Sequence, residues 1–209
     1  MGQDEMIVRT CVSGTRGLSR RAFLSTTVCA SVAVVAASHV FAADSVAGAD
    51  EVTVEIFSSA GHSTGLVQLR KVVKSDAEWQ RQLTPEQLAV TRRAITEKAY
   101  SGLYWNNHAD GVYRCICCDT ALFDSSTKFE SHTGWPSFYE PISAHNIVKS
   151  EDRRFGMRRV AVACVLCDGH LGHVFEDGPP PTGLRYCIDS AALRFVPRTA
   201  VGGTEGASP

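Results

Sequence analysis

Apolar positions along the chain change period near its middle. Between Ser75 and Ile95 they recur at helical spacing, and two start signals precede them. Ser75 is placed to cap a helix opening at Asp76-Ala77-Glu78-Trp79. Thr84-Pro85-Glu86-Gln87 is a second start, with a threonine cap, proline at the first helical position and Gln87 closing a capping box. Leu88, Val90, Thr91, Ala94 and Ile95 then form one apolar face. From Gly111 the pattern turns to short runs of β character, at 112–115, 121–123, 159–163 and 192–196. Loops with Gly and Pro separate them, notably Gly178-Pro179-Pro180-Pro181. The chain is therefore expected to be mainly β, with its helices on the N-terminal side. Residues 43–73 read as a linker, flexible in part. A short apolar patch at 52–57 is followed there by Ser58, Gly61, Ser63 and Gly65. Residues 199–209 are small and polar and are expected to be a disordered tail.

The first 42 residues follow another logic. Ser19-Arg20-Arg21-Ala22-Phe23-Leu24 precedes an apolar stretch over 28–37, and Val40-Phe41-Ala42-Ala43 offers small residues for cleavage. This resembles a twin-arginine export signal. An uncleaved membrane anchor facing the periplasm is the alternative, but the apolar run is marginally short and diluted by Ser and Thr. Export predicts a periplasmic protein and removal of Cys11 and Cys29 from the eight cysteines. In an oxidising compartment the remaining six could pair as disulfides. The twin-arginine route carries folded proteins, so a metal site filled beforehand would cross protected.

The chain has 209 residues, enough for one domain of ordinary size plus a tail. A hydrophobic share of 44% allows a packed core, and a formal net charge of −1 gives no support for a nucleic-acid surface.

Cysteine spacing carries the chemistry. Cys115/Cys118 and Cys164/Cys167 form two Cys-x-x-Cys pairs, a four-thiolate set suited to one tetrahedral zinc ion. Four protein ligands close such a site, so the metal would be structural and would clamp two hairpins distant in sequence. Two disulfides, or buried free thiols, are the bland alternative. Cys117, between the ligands of the first pair, is a spare thiol or a substitute ligand. Cys187 belongs to no pair. In an extended strand Arg185, Cys187 and Asp189 share a face. Arg185 would lower the thiol's pKa and Asp189 would oppose it. Taken alone, Cys187 is as compatible with a buried core thiol as with a nucleophile. His170 and His173 suit acid/base work near neutral pH, or are structural. Trp135, in Gly134-Trp135-Pro136-Ser137-Phe138, would wall a small apolar pocket or simply fill the core.

Together these segments resemble one family, methionine sulfoxide reductase B. The motifs run in order: Gly111-Val112-Tyr113-Arg114-Cys115 with Cys118, Thr127-Lys128-Phe129, Gly134-Trp135-Pro136-Ser137-Phe138-Tyr139, Cys164-x-x-Cys167, His170-Leu171-Gly172-His173-Val174-Phe175, Asp177-Gly178-Pro179, Pro181-Thr182-Gly183-Leu184-Arg185-Tyr186-Cys187 and Ser190-Ala191-Ala192-Leu193. The resemblance implies a catalytic domain over 74–198. It implies two twisted antiparallel sheets, N-terminal helices and one structural zinc on the four cysteines, away from the active site. It implies reduction of the R epimer of methionine sulfoxide in proteins. Cys187 would attack the sulfoxide sulfur and leave as a sulfenic acid. His173, with His170, would protonate the oxygen, Trp135 would hold the methyl group, and Arg185 and Asp189 would flank the substrate. The partners implied are oxidised proteins and a thioredoxin-like or other thiol reductant, with no nucleic acid. The chain is expected to be monomeric.

Two positions depart from the family pattern. Asp189 stands where the family has asparagine; an amide donates a hydrogen bond, an ionised carboxylate only accepts. Either activity near neutral pH suffers, or Asp189 is protonated in the complex and donates after all. Thr133 stands where many members carry a resolving cysteine, which leaves an external reductant, or Cys117, to regenerate Cys187. A zinc-ribbon binding module, and a member that binds methionine sulfoxide without turnover, are the competing readings.

Overall fold

The structure is a computed structural model that describes residues 50–198. The expected export segment and C-terminal tail lie outside the described residues. Residues 51–70 correct the linker reading. They form a hairpin of β1 (Glu51–Phe57) paired antiparallel with β2 (Ser63–Arg70). The Ser58–Gly61 stretch is the turn that closes it: Gly61 has φ 78° and donates to the Ser58 carbonyl at 3.1 Å. Several contacts tie the hairpin to the domain, among them the Arg114 guanidinium, which donates to the Phe57 and Ser58 carbonyls at 2.7 and 3.1 Å. Val54 is 1% exposed. The fully buried Asn146 accepts the Glu55 N–H and donates to the carbonyls of Glu55 and Ala121, each at 2.8 Å. Strand β2 is exposed along almost its whole length, so its sequence lacks the apolar alternation that marks a strand.

Both helix starts form as their caps dictate. Ser75 opens α1 (Asp76–Gln82) and Thr84 opens α2 (Pro85–Arg93), each through a reciprocal capping box. A cap of this kind contributes about 1 kcal/mol. Helix α2 buries Val90 and Thr91. The expected apolar face ran on through Ile95, but Ala94 turns the chain with a left-handed φ of 50° and Ile95 is left exposed. This turn releases residues 95–107 into a long loop whose Thr96 lines the cavity beside Cys187.

The remaining strands are β3 (Gly111–Cys115), β4 (Ala121–Asp124), the two-residue β5 (Lys128–Phe129) and β6 (Ser137–Phe138), β7 (Ile147–Asp152), β8 (Arg159–Cys164), β9 (His170–Phe175), β10 (Arg185–Ile188) and β11 (Leu193–Pro197). They build two antiparallel sheets, ordered β11-β3-β4 and β5-β6-β10-β9-β8-β7. The last strand starts one residue later than its apolar run, because Ala192 ends a 3-10 turn over Ser190–Ala192. The sheets meet through aromatic side chains. Phe123 of β4 stacks on Phe138 of β6 with centroids 4.5 Å apart, and the ring edge of Tyr113 from β3 meets Phe138 at 5.0 Å. All three are fully buried, which adds specific ring geometry to the area each removes from water. Strands β9 and β10 lie inside the larger sheet, so their side chains have neighbours on both flanks.

Candidate active site

The cysteines separate into two groups, as their spacing implies. Cys115 and Cys118 flank the turn after β3, and Cys164 and Cys167 flank the turn after β8. The four sulfurs lie within 4.8 Å of one another. Cys115 and Cys167 sulfurs are 3.6 Å apart and those of Cys118 and Cys164 3.5 Å. Tetrahedral zinc with bonds of about 2.3 Å places its sulfurs about 3.8 Å apart. Donor type, number and spacing therefore fit a closed four-thiolate metal site. Cys117 is buried at its border: its carbonyl accepts from Gln82 at 2.7 Å, and a Cβ on Gly169 would lie 3.5 Å from its sulfur and 3.2 Å from that of Cys167.

Cys187 stands on β10, paired in register with His173 of β9 on one side and Ser137 of β6 on the other. Gly172 makes this approach possible. It has φ 150°, and a Cβ there would come within 2.1 Å of the Cys187 carbonyl oxygen. The thiol opens into a cavity of about 200 Å³ lined by Thr96, Trp135, Arg159, Gly172, His173, Phe175, Cys187 and Asp189. Its sulfur lies 4.0 Å from the Thr133 hydroxyl. Cys117 is not in this lining and borders the metal cluster instead.

Of the residues singled out from the sequence, Trp135, His173, Cys187 and Asp189 converge on the cavity. His170 does not line it. It sits behind His173, ring centroids 5.3 Å apart, with its Nε2 buried and unpartnered among the described residues. Burial first, then the neighbouring His173, pushes His170 down to about 4. Arg185 also stays out of the lining. Its guanidinium makes a two-point ion pair with Asp177 at 2.8 and 2.9 Å and covers the Phe175 ring. The expected charge effects on Cys187 are both present, lowering from Arg185 and raising from Asp189, yet burial outweighs them and the thiol's pKa is raised.

Two acidic side chains that the sequence did not single out complete the site. Asp152, buried at the end of β7, accepts from His173 Nε2 at 2.8 Å, from Arg159 at 2.9 Å and from Arg154 at 3.1 Å. The Arg154 backbone N–H, with His173 and the Arg154 side chain, holds the Asp152 pKa well below the usual range. An ionised carboxylate only accepts, so His173 Nε2 carries a hydrogen and Nδ1 is the bare nitrogen. Burial lowers the His173 pKa despite Asp152, and Arg159 and Arg154 lower it further. In the sequence, Asp152 hides in the charged run Glu151-Asp152-Arg153-Arg154, which reads as surface.

Glu97 lies in the loop after α2 and is 7% exposed. Its carboxylate accepts the N–H groups of Ser190 and Ala191 at 2.7 and 2.9 Å. Its own N–H donates to Asp189 Oδ1 at 2.9 Å, and its carbonyl accepts from the Trp135 indole at 3.2 Å. One residue thus holds two walls of the cavity. Asp189 is 2% exposed. Burial, with Glu97 adding repulsion, pushes its pKa up to about 7 against the lowering effect of the Glu97 N–H.

A larger open groove of about 570 Å³, lined by Lys149, Glu151, Arg158 and Val160 among others, abuts this cavity through Arg159 and Phe175. Its lining contains no cysteine or histidine, so the chemistry belongs to the smaller cavity.

Residues 83–197 match the SelR domain, more than half of the chain. A peptide methionine sulfoxide reductase MsrB of Herminiimonas arsenicoxydans is 55% identical over 125 residues, which cover 60% of this chain and 91% of that protein. The MsrB of Pseudomonas fluorescens strain Pf0-1 is 54% identical over 130 residues, covering 62% of this chain and 99% of the relative. The chloroplastic peptide methionine sulfoxide reductase B1 of Arabidopsis thaliana is 56% identical over 121 residues, covering 58% and 60%. The matched region contains the four-cysteine cluster, the Cys187 cavity and both sheets, and the chain belongs to the SelR-domain family, that of the MsrB methionine sulfoxide reductases.

Proposed function

We propose that this chain reduces the R epimer of methionine sulfoxide in proteins, with Cys187 as the nucleophile. The class of activity follows from family membership: it is an oxidoreductase, a methionine sulfoxide reductase acting in protein repair. The observation that carries the residue assignment is the convergence of Cys187, His173 and Trp135 on one cavity. The half-buried indole offers a flat apolar wall for the methyl group beside a thiol that meets the sulfoxide sulfur. Neutral His173, anchored by Asp152, handles protons at the reacting pair. Attack converts the thiol to a sulfenic acid and the sulfoxide to methionine. Two equivalents of a thiol donor then return Cys187 to the thiol and release water.

The four cysteines would hold zinc, which would cross-link the turns after β3 and β8 and take no part in the reaction. The surroundings of Cys117, at the border of that cluster, favour an external thiol donor over an internal disulfide. The twin-arginine-like segment at Ser19-Arg20-Arg21 supports export and repair of envelope proteins. Recovery of the protein in cytoplasmic fractions would remove the basis for that location.

The test is dithiothreitol-driven turnover of peptides carrying methionine-R-sulfoxide or methionine-S-sulfoxide, with Cys187→Ser as control. Turnover of the R epimer alone, abolished in the variant, is expected. Turnover that persists without Cys187 would sink the assignment, and binding without turnover would favour the non-catalytic reading.

A further inference from the structure

We propose that Asp189 is the general acid of this site, delivering its proton to the sulfoxide oxygen while His173 takes the proton of the Cys187 thiol. The proposal rests on the reductase reading above and adds the path of the protons.

The geometry divides the roles. His173 is poorly placed to be the acid. Its Nε2–H is committed to Asp152, and that carboxylate is already shared by the guanidinium groups of Arg154 and Arg159. Burial and both cations keep the ring neutral at rest, so it has no second proton to give until it has taken the one from Cys187. Its Nδ1 is free to accept, and in register His173 is the partner of Cys187. His170, the other candidate, does not line the cavity. Asp189 does. It stands two residues beyond the nucleophile, where an extended chain keeps both side chains on one face. The Glu97 N–H fixes one carboxyl oxygen, leaving Oδ2 without a donor among the described residues. A buried carboxyl held at one oxygen and free at the other, on the wall of a cavity, can carry a proton on the free oxygen and release it to a substrate.

The charged and titratable groups around it agree. Glu97 beneath it is also buried, and its own pKa is raised by that burial. Glu97 accepts from Ser190 and Ala191, not from Asp189. Cys187 beside Asp189 is a thiol. His173 is neutral. Arg159, which also lines the cavity, is held by Asp152. Arg185 is held by Asp177. Among the described residues no cation is bonded to Asp189, so the carboxyl keeps its proton up to about pH 7.

The step balances. The Cys187 sulfur forms a bond to the sulfoxide sulfur as its proton passes to His173 Nδ1. The sulfoxide oxygen takes the Asp189 proton and becomes a hydroxyl group. That hydroxyl then moves to the Cys187 sulfur as the sulfur–sulfur bond breaks. Methionine and a Cys187 sulfenic acid result: the substrate sulfur has gained two electrons and the cysteine sulfur has lost two. The proton on His173 returns to Asp189. General acid catalysis of this kind contributes roughly 10²–10⁴-fold.

Two measurements on the full chain test this. The first is the single-turnover release of methionine from an R-sulfoxide peptide, without reductant, between pH 5.5 and 8.5. The wild-type rate should fall as pH rises through about 7, as Asp189 loses its proton, while burial keeps the Cys187 thiol's pKa raised. Asp189→Asn donates a hydrogen bond but no proton. It should be at least ~10-fold slower at pH 6, lack the alkaline fall, and approach the wild-type rate at pH 8.5. The second is the ¹³C carboxyl resonance of Asp189 in Cys187→Ser, which needs no turnover and no Asp189 variant. It should titrate near 7. An Asn variant as fast as wild type at pH 6, or an Asp189 carboxyl ionised throughout the range, would overturn the proposal. Failure of wild type to release methionine from either epimer would overturn the reductase reading with it.

Discussion

Cys187 and His173 face each other across β10 and β9 as a directly opposed pair in an antiparallel ladder. Side chains at such positions stand about 5 Å apart at Cβ on the same face of the sheet. The proposed nucleophile and the imidazole are therefore juxtaposed by strand register. A slip of one residue would move Cys187 to the opposite face. Asp152 extends the pair to three groups, bonded to His173 Nε2 at 2.8 Å from the edge strand β7, which β8 separates from β9. The order thiol, imidazole, carboxylate puts the acceptor nitrogen of His173 toward the cavity.

Replacing Asp152 tests that chain. Asp152→Asn keeps the shape but removes the charge that fixes the hydrogen on Nε2, and its amide can donate to His173 and favour the other tautomer. The single-turnover rate should drop by roughly 10–100-fold, within the usual range for acid–base groups, with a much smaller change in KM. Arg154 and Arg159 lose their shared partner, so thermal unfolding must be followed alongside. A rise in KM with kcat unchanged would mean that Asp152 shapes the cavity without governing the proton on His173.

The four-cysteine cluster predicts one zinc per chain. Structural zinc contributes apparent binding free energies of about 10–16 kcal/mol in small domains, comparable with the whole stability of an ordinary domain. Cys164→Ser, or exhaustive chelation, should cost most of the metal, lower the unfolding temperature sharply and remove activity as a consequence. Elemental analysis beside thermal unfolding checks this. Metal-free protein with an unchanged unfolding temperature would exclude a structural role.

How much of this was legible beforehand depended on whether a residue's role leaves a local signal. The caps at Ser75 and Thr84 do, because a cap satisfies backbone groups within three residues of itself. The Cys-x-x-Cys pairs do, because both sulfurs of a pair reach one ion from a single turn. The hairpin β1–β2 does not. Its one deeply buried side chain is Val54, and much of its other anchoring comes from Asn146 and Arg114, far away in sequence. Glu97 and Asp152 do not either. Each is a carboxylate in a polar stretch: Glu97 meets its donors Ser190 and Ala191 93 and 94 residues away, and Asp152 joins its local donors Arg154 and Arg159 to His173, 21 residues away, only in the folded chain. His170 was legible as part of a motif but not as lying behind His173, since that depends on the bulge between Val162 and Ala163 opposite Gly172.

Asp189 also makes stability depend on pH. Its folded pKa is raised from its ordinary value to about 7, so the folded state holds the proton more tightly than the unfolded chain. Its contribution is fully present below the ordinary carboxylate range and is lost as pH rises through about 7. A displacement of that size corresponds to on the order of 4 kcal/mol. Asp189→Asn does not titrate. The variant should therefore gain stability relative to wild type as pH is raised from 4 to 8, in denaturant unfolding of both proteins at each pH. A difference that stays constant over that range would mean that Asp189 is ionised, or solvated, in the folded protein.

Thr133 predicts how the catalytic cycle can be rerouted. Its hydroxyl lies 4.0 Å from the Cys187 sulfur, and the segment that carries it is held on both sides. His132 has φ 55° and Gly134 φ 90°, and the Gly134 carbonyl accepts the Tyr100 N–H at 2.8 Å. A cysteine at 133 would start within reach of Cys187, and a change of rotamer would bring the sulfurs to the ~2.05 Å of a disulfide. After one equivalent of R-sulfoxide substrate, wild type should hold a sulfenic acid on Cys187 that a dimedone probe traps. Thr133→Cys should instead lose two thiols, two mass units and all dimedone labelling, and should be reduced faster by a dithiol protein than wild type is. Persistent labelling of Cys187 in the variant would show that the loop is too rigid for the sulfurs to meet.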